Sequence, residues 1–197
     1  RQARLKLLIA YSTVAQIGYL FLVFPLAAGA HVWSAIGWSA GVMQILAHAF
    51  AKAAMFFSAG ILAESLGHDD LARLRGAARA LPLTFLTLGL SGLSLMGLPP
   101  SGGFSAKWLM LRAAIASGQW IWSVPVLIGG LLAAGYVYRI ITPALRDGDV
   151  TLQAPPQSSR EVIALALALI AVALGFMPQV FFDFIDIGRP LAAGPPV

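Results

Sequence analysis

The stretch GLPPSGGFSAK, residues 97–107, interrupts an apolar run that extends from Leu81 to Ser117. Proline removes a backbone hydrogen-bond donor from a helix, and glycine lowers helix stability. We therefore expect the helix to break here, and four residues carry the predicted break: Pro99, Pro100, Gly102 and Gly103. Two arrangements are compatible with this pattern. The run forms either two separate helices joined by a turn, or one long helix that is broken midway.

The composition is that of an integral membrane protein. Of the 197 residues, 59% are hydrophobic and 11% are charged, and the mean hydropathy is +0.83. Soluble domains carry roughly 25% charged residues and rarely expose large apolar patches. The chain contains no cysteine, which excludes disulfides, cysteine-ligated zinc and iron–sulfur clusters. The net charge of +5 comes from short basic clusters between apolar runs, so we predict no nucleic-acid partner.

Apolar runs of about 20 residues predict the membrane crossings. Besides the interrupted run, four such segments are present: Leu7–Ala28, Trp33–Leu66, Trp120–Tyr138 and Val162–Val180. The predicted fold class is all-α, a polytopic transmembrane helix bundle with about five crossings and one helix broken near residues 98–104. We expect a polar linker at residues 148–160, an additional C-terminal transmembrane helix at 161–185 and a tail at 186–197.

The distribution of basic residues decides between the two arrangements of the interrupted run. If the run crosses the membrane once, nine basic residues face one side and only Arg189 faces the other. If it crosses twice, the split falls to seven against three. Basic loops concentrate on the cytoplasmic side of a membrane. We therefore predict one broken crossing in a multi-pass protein of the cell inner membrane, with these residues on the cytoplasmic side: Arg1, Arg4, Lys6, Arg73, Arg75, Arg79, Arg139, Arg146 and Arg160.

Two of the three lysines are predicted to lie deep in the membrane. Lys6 stands at the mouth of the first helix, whereas Lys52 is near the middle of the second helix and Lys107 follows the break. A lysine at the bilayer centre costs roughly 2.5–3.5 kcal/mol on insertion scales, so it faces protein or water and marks a functional site. His48 precedes Lys52 by one helical turn, and histidine titrates near neutral pH. We expect Lys52, His48 and Lys107 to carry protons.

Three further polar residues are candidates for lining the path. Gln44 shares a helix face with His48 and Lys52. Glu64, near the end of the same helix, is also compatible with an interfacial position, and Arg112 follows Lys107 by five residues. No phosphate-binding loop, dinucleotide fingerprint or nucleophile–base pattern is present. We therefore predict no catalytic residue, no metal site and no cofactor in this chain.

Four motifs occur in one order along the chain, and together they resemble a known superfamily. They are RLKLLIAYSTVAQIGY (4–19), HAFAKAAMFFSAG (48–60), DLARLRGAARALP (70–82) and GLPPSGGFSAKW (97–108). The series is similar to the proton-translocating, antiporter-like membrane subunits of respiratory complex I. It is equally similar to the large subunits of multisubunit sodium/proton antiporters and to subunits of membrane-bound hydrogenases.

This resemblance implies a fold of two inverted five-helix repeats, each with a broken helix and a buried lysine. Residues 1–147 would then form part of the second half-channel repeat, and the first repeat would lie upstream of Arg1. Lys52 matches the family's central lysine, His48 the histidine one turn before it, and Lys107 the residue after the break. Gln44 departs from the pattern, because one branch has a second histidine there. The short sequence after Arg189 shows no long lateral helix, which favours an antiporter-type or shorter subunit.

The implied function is translocation of protons, with sodium as an open alternative, by a subunit of a larger respiratory or antiporter complex. The implied partners are other membrane subunits of that complex and the lipid bilayer. Whether the complex is an NADH:quinone oxidoreductase-like enzyme stays open. Two other functions are compatible with the sequence: a structural membrane anchor for an oxidoreductase, and an independent secondary transporter for a small solute.

Overall fold

The computed structural model describes residues 2–29, 31–176, 182, 184 and 185. These residues form a bundle of helices without a β-strand; the one isolated bridge joins Arg4 to Asp70. The α-helices are α1 Leu5–Phe21, α2 Val23–Leu26, α3 Val32–Leu66, α4 Ala77–Ala80, α5 Pro82–Met96, α6 Gly102–Ala116, α7 Ser123–Leu145 and α8 Ser158–Ala173, and single 3-10 turns occur at Leu71–Arg73 and Trp120–Trp122. The predicted all-α fold class is confirmed.

Among the described residues, three segments are long and apolar enough to cross a membrane: Leu5–Leu26, Val32–Leu66 and Trp120–Leu145. They correspond to the first, second and fourth predicted crossings. The first is not one straight helix, because the chain turns at Leu22 between α1 and α2. Pro82–Met96 is a shorter apolar helix, as the predicted break requires.

Helices α5 and α6 together extend from one end of the bundle to the other. Just before the short helix α4, which leads into α5, the Gly76 amide donates to the carbonyl of Arg146, the residue after α7. Just after α6 ends, the Gln119 side chain donates to Pro25 near the end of the first crossing. Since α7 spans about 35 Å at 1.5 Å per residue, its two ends lie at opposite ends of the bundle. The α5–α6 pair connects those ends, which agrees with the single broken crossing.

The two ends of the bundle differ in charge. We call the end where α1, α5 and α8 begin, and where α3 and α7 end, the basic end. Basic side chains gather there, in the loops and in the helices near this end: Arg4, Lys6, Arg73, Arg75, Arg79, Arg139, Arg146 and Arg160. The opposite end, where α6 ends and α7 begins, is called the far end.

The break between α5 and α6 has well-defined caps. The amides of Gly97 and Leu98 both donate to the Leu93 carbonyl, which closes the C-terminus of α5. Gly97 adopts a φ of 79°, in the left-handed region that favours glycine. Ser101 begins α6 by accepting a hydrogen bond from the Phe104 amide at 3.2 Å. The chain can therefore stop one helix and start the next within five residues.

Helix α3 lies at the centre of the bundle and packs against α1, α5, α6 and α8. Its buried face carries small residues, so that neighbouring backbones come close; fully buried examples are Ala40, Ala51, Ala54 and Ala59. Helix α8 packs against α3 and α5. It begins at Ser158, a few residues before the predicted residue 161, because Ser158–Arg160 form its first turn. Residues 177–181, 183 and the predicted tail at 186–197 lie outside the described residues.

Candidate functional site

Lys52 is buried inside the bundle, between α3 and α1. Its side chain is 5% exposed. The Nζ atom donates to the Ile9 carbonyl at 2.9 Å and to the Ser12 hydroxyl, both on α1. The ring of Tyr136 on α7 lies 5.6 Å from Nζ, within reach of a cation–π interaction.

Lys107 is buried at the helix break. It is 6% exposed, and its Nζ donates to the Leu95 carbonyl at 2.6 Å. That carbonyl belongs to the last turn of α5, where the break leaves the backbone oxygens without helical partners. The Tyr19 ring lies 5.3 Å from Nζ. Because a helical side chain leans toward the N-terminus of its own helix, Lys107 reaches back across the break to α5.

Neither lysine has a counter-charge within the residues that the structure describes. The three ion pairs found there join Arg4 to Asp69, Arg79 to Asp147 and Arg160 to Glu64. The partners of Lys52 and Lys107 are instead carbonyl oxygens, a hydroxyl and aromatic rings. These groups accept a hydrogen bond from an ammonium group without fixing its charge by an ion pair.

Polar side chains of α1 connect the surroundings of the two lysines. Gln16, one turn after Ser12, donates from Nε2 to the Leu95 carbonyl at 3.1 Å. The Leu95 carbonyl thus accepts hydrogen bonds from both Gln16 and Lys107. Gln16 also accepts from Gln44 of α3 at 3.1 Å. Lys52, Ser12, Gln16, Gln44, the Leu95 carbonyl and Lys107 are called the polar network below.

A groove between α1 and α7 borders this network at Ser12 and Gln16. It has a volume of about 490 Å³, and the polar side chains in its wall are Ser12, Gln16, Tyr19 and Tyr136. A buried water needs room and two to four polar partners. The groove offers the room and the polar partners. It lies beside Ser12 and Gln16, which are one helical turn apart and form no direct hydrogen bond with each other.

His48 lies on the same face of α3 as Lys52 but outside the hydrogen bonds of the network. It is half-buried, and its buried Nδ1 atom has no hydrogen-bond partner among the described residues. A buried ring nitrogen without a hydrogen-bond partner in the protein can bind a water molecule. The structure therefore places His48 beside the network without a bond to either lysine.

Two other predicted path residues lie away from the network. Glu64 is exposed at the end of α3, where its Oε2 pairs with Arg160 at 2.6 Å. Arg112 is exposed on α6. The break residues also differ among themselves: Pro99 and Pro100 are exposed, whereas Gly102 and Gly103 are buried. A Cβ on Gly103 would collide with the carbonyl oxygen of Ser94, so this glycine allows α6 to start against α5.

Ser12 and Gln16 were not among the predicted path residues, although the sequence contains a signal for them. Ser12, Gln16 and Tyr19 are spaced four and three residues apart in an apolar run, which puts them on one helix face. The role of the Leu95 carbonyl could not be predicted from the sequence, because every residue has a backbone carbonyl. It depends on where the broken ends of α5 and α6 lie relative to each other.

Comparison with known proteins relates the chain to membrane subunits. Residues 1–133 match the family model described as "NADH:quinone oxidoreductase/Mrp antiporter, TM". The NADH-quinone oxidoreductase subunit N of Geotalea uraniireducens (strain Rf4) is 31% identical over 191 residues, which cover 94% of this chain and 39% of that protein. Subunit N of Desulforudis audaxviator (strain MP104C) is 32% identical over 141 residues, 72% of this chain and 27% of that protein.

The fold is shared with a chain of a solved Mrp complex. A chain in the structure of the Mrp complex from Dietzia sp. DQ12-45-1b superimposes with a TM-score of 0.81 at 24% identity, covering 93% of this chain and 42% of that chain. This likeness shows the fold alone. The present chain spans between 27% and 39% of the length of the two curated relatives named above.

Proposed function

Since the chain belongs to the NADH:quinone oxidoreductase/Mrp antiporter transmembrane family, we propose that it translocates protons across the membrane as part of a larger complex. The observation that supports this most is a pair of buried lysines, Lys52 and Lys107, at the two ends of one polar network, with no counter-charge among the residues that the structure describes. An ionisable side chain inside a membrane is by default a functional group.

In this proposal the two lysines take up and release the proton. The Ser12 hydroxyl exchanges a proton with Lys52, since it can accept one proton while it releases another. Waters beside Gln16 carry the proton between Ser12 and Lys107. The Gln16 amide does not ionise; it holds the Leu95 carbonyl and thereby orients Lys107. His48 supplies a second titratable site next to Lys52.

The chemistry of the network favours protons over sodium. A sodium ion is bound by several oxygen atoms, as other hard cations are, and an ammonium group at the same place repels it. Around each lysine the described residues offer only one or two such oxygens: the Ile9 carbonyl and the Ser12 hydroxyl at Lys52, and the Leu95 carbonyl at Lys107. Transfer of a proton between an amine, a hydroxyl and water does not require several oxygen atoms around one ion.

The proposal also covers the parts of the chain, its partners and its orientation in the membrane. Residues 1–147 form part of the second half-channel repeat, residues 148–160 link it to the C-terminal helix, and other membrane subunits of the complex are the partners. The basic end faces the cytoplasm of a cell whose inner membrane holds the complex, in accordance with the positive-inside rule.

The experiment replaces Lys52 with Met in the full-length protein within its assembled complex and measures proton transport in vesicles. Methionine keeps the length of the side chain but cannot carry a proton. We expect transport per assembled complex to fall at least about a hundredfold, the lower end of the range for loss of a proton-transfer group. Lys6→Met is the matched control, because Lys6 is exposed at the start of α1.

Normal transport by an assembled Lys52→Met complex would contradict the proposal. It would favour the structural anchor, which predicts that substitution of Lys52 changes the yield of assembled complex but leaves transport per complex unchanged.

A further inference from the structure

A buried carboxylate lies at the basic end, outside the polar network. Glu161, in the first turn of α8, is 9% exposed, and its Oε1 accepts a hydrogen bond from Thr84 of α5 at 2.6 Å. It forms no ion pair within the described part of the chain. The adjacent Arg160 pairs with the exposed Glu64 instead. A carboxylate that is buried without a counter-charge is expensive and therefore calls for a functional explanation.

A stripe of hydroxyl groups leads from Glu161 toward the helix break. Thr84, Thr87, Ser91 and Ser94 are spaced three, four and three residues apart, so they lie on one face of α5. Each is at most 1% exposed. At 1.5 Å per residue the stripe covers about 15 Å along the helix. We call these four residues the α5 hydroxyl stripe.

The stripe ends next to the polar network. The Ser94 hydroxyl accepts a hydrogen bond from the Gly103 amide at 3.4 Å, at the start of α6. The following residue, Leu95, provides the carbonyl that binds Lys107. Glu161 and Lys107 therefore lie at the two ends of one line of buried polar groups.

An orphan hydroxyl on α3 points to water in the same region. Ser58 is fully buried, and its Oγ has no hydrogen-bond partner among the described residues. It lies on the face of α3 that carries Ala47, about three turns away. That face meets α6 and α8, because a Cβ on Gly102 would lie 3.0 Å from the Ala47 Cβ and 3.1 Å from the Ala171 carbonyl. A buried hydroxyl without a protein partner is a natural ligand for a water molecule.

We propose that Glu161 and the α5 hydroxyl stripe form the route by which protons enter from the basic end and reach Lys107. The Glu161 carboxylate takes a proton from the solution at the exposed rim formed by Arg160 and Glu64. It then releases this proton to water, and each water or hydroxyl along the stripe accepts one proton and releases another. The neutral amine of Lys107 takes the last proton and becomes an ammonium group, while Glu161 returns to its carboxylate form.

The hydrogen bonds of the stripe are compatible with this transfer. Thr87 donates to the Leu83 carbonyl at 2.9 Å and Ser91 donates to the Thr87 carbonyl at 2.6 Å. Each hydroxyl oxygen still has lone pairs with which it accepts a bond from water. The inference rests on the proposed function, since Lys107 is the acceptor at the end of the route.

The test substitutes Glu161→Gln in the full-length protein within its complex. Glutamine retains the size of the side chain and an oxygen for Thr84, but it cannot take up a proton. The matched control is Glu64→Gln, which removes an exposed carboxylate at the same end of the bundle. We expect Glu161→Gln to lower the initial rate of proton transport per assembled complex about a hundredfold, and Glu64→Gln to leave it unchanged.

Transport by Glu161→Gln that equals transport by Glu64→Gln, at equal assembly, would overturn the entry route. It would mean that the bond to Thr84 only docks α8 on α5. The Lys52→Met variant separates this failure from a failure of the proposed function. If Lys52→Met loses transport while Glu161→Gln retains it, only the entry route is wrong, and if both retain it, the proposed function is wrong as well.

A second pair of variants covers the case in which Glu161→Gln does not assemble. Ser91→Ala removes one hydroxyl from the middle of the stripe. Ser117→Ala removes a hydroxyl that makes the same kind of bond, to the Ala114 carbonyl, at the far end. We expect a severalfold loss of transport in Ser91→Ala alone. Equal transport by these two variants would again contradict the route.

Discussion

The Leu95 carbonyl shows how one backbone atom can join two side chains that lie far apart in the sequence. It accepts from Gln16 at 3.1 Å and from Lys107 at 2.6 Å. Inside a continuous helix this oxygen would receive the amide four residues later. The break removes that donor, and an unsatisfied buried carbonyl is costly. Gln16 and Lys107 therefore satisfy the carbonyl, and the break itself creates the contact between α1 and α6.

At the residue scale we predict the effect of Gln16→Leu. The substitution leaves the Gln44 amide without its partner and removes one donor from the Leu95 carbonyl. We expect a loss of stability of about 1–3 kcal/mol together with a severalfold loss of proton transport, because Lys107 is no longer oriented. Thermal unfolding in detergent and transport in vesicles measure the two effects.

Gln119→Leu is the matched control for this prediction. Gln119 also donates its amide to a backbone carbonyl, that of Pro25 at 3.2 Å, but at the far end and outside the polar network. A comparable loss of stability with normal transport is the expected result. If the two variants transport protons equally well, Gln16 has no role beyond packing.

At the scale of the element, the broken crossing depends on close approach of backbones. Gly103 brings α6 against the carbonyl of Ser94, and Gly102 brings it against α3 and α8. Prolines 99 and 100 stand exposed between the caps, where no helical donor is needed. The two kinds of residue thus have different roles. The prolines prevent α5 from continuing, and the glycines allow α6 to begin inside the bundle.

We predict that Gly103→Ala destabilises the break. The added Cβ would collide with the Ser94 carbonyl, so α6 must shift and the contact between Lys107 and Leu95 must lengthen. The yield of folded protein and its melting temperature should both fall. Gly89→Ala in α5 is the control, since nothing lies within 4 Å of a Cβ there. Equal stability of the two variants would contradict the packing described for the break.

Element boundaries and burial could be predicted from the sequence to different degrees. The apolar runs and the prolines and glycines at 99–103 predicted the crossings and the break, because helix length and backbone chemistry are local properties. The rare lysines predicted buried sites, because a charge at membrane depth is expensive. The partners of these lysines could not be predicted. They depend on which face α1 turns toward α3, and that is decided by packing between segments that lie far apart in the chain.

At the scale of the whole molecule, the single broken crossing sets the sidedness of every later loop. Both the loop after α3 and the loop after α7 lie at the basic end, and the loop after α6 lies at the far end. With a second crossing in place of the break, the loop after α6 would lie on the same side as the loop after α3. The position of that loop is therefore the most informative feature of the topology.

Cysteine labelling can test this topology, since each labelling position can be introduced singly into these 197 residues, none of which is a cysteine. Single cysteines at Ala72, Ala116 and Asp147 occupy exposed positions. We expect a membrane-impermeant maleimide to label Ala72→Cys and Asp147→Cys from one side of the membrane and Ala116→Cys from the other. Labelling of Ala72→Cys and Ala116→Cys from the same side would contradict the broken crossing.

The central claim is that Lys52 and Lys107 belong to one proton path, and a double-substitution experiment tests it most directly. Proton transport per assembled complex is compared among Lys52→Met, Lys107→Met and the variant that carries both changes. For two steps in series, each single substitution already blocks the path, so all three variants should show the same residual rate. A double variant that transports far less than either single variant, or a single variant with normal transport, would contradict the account.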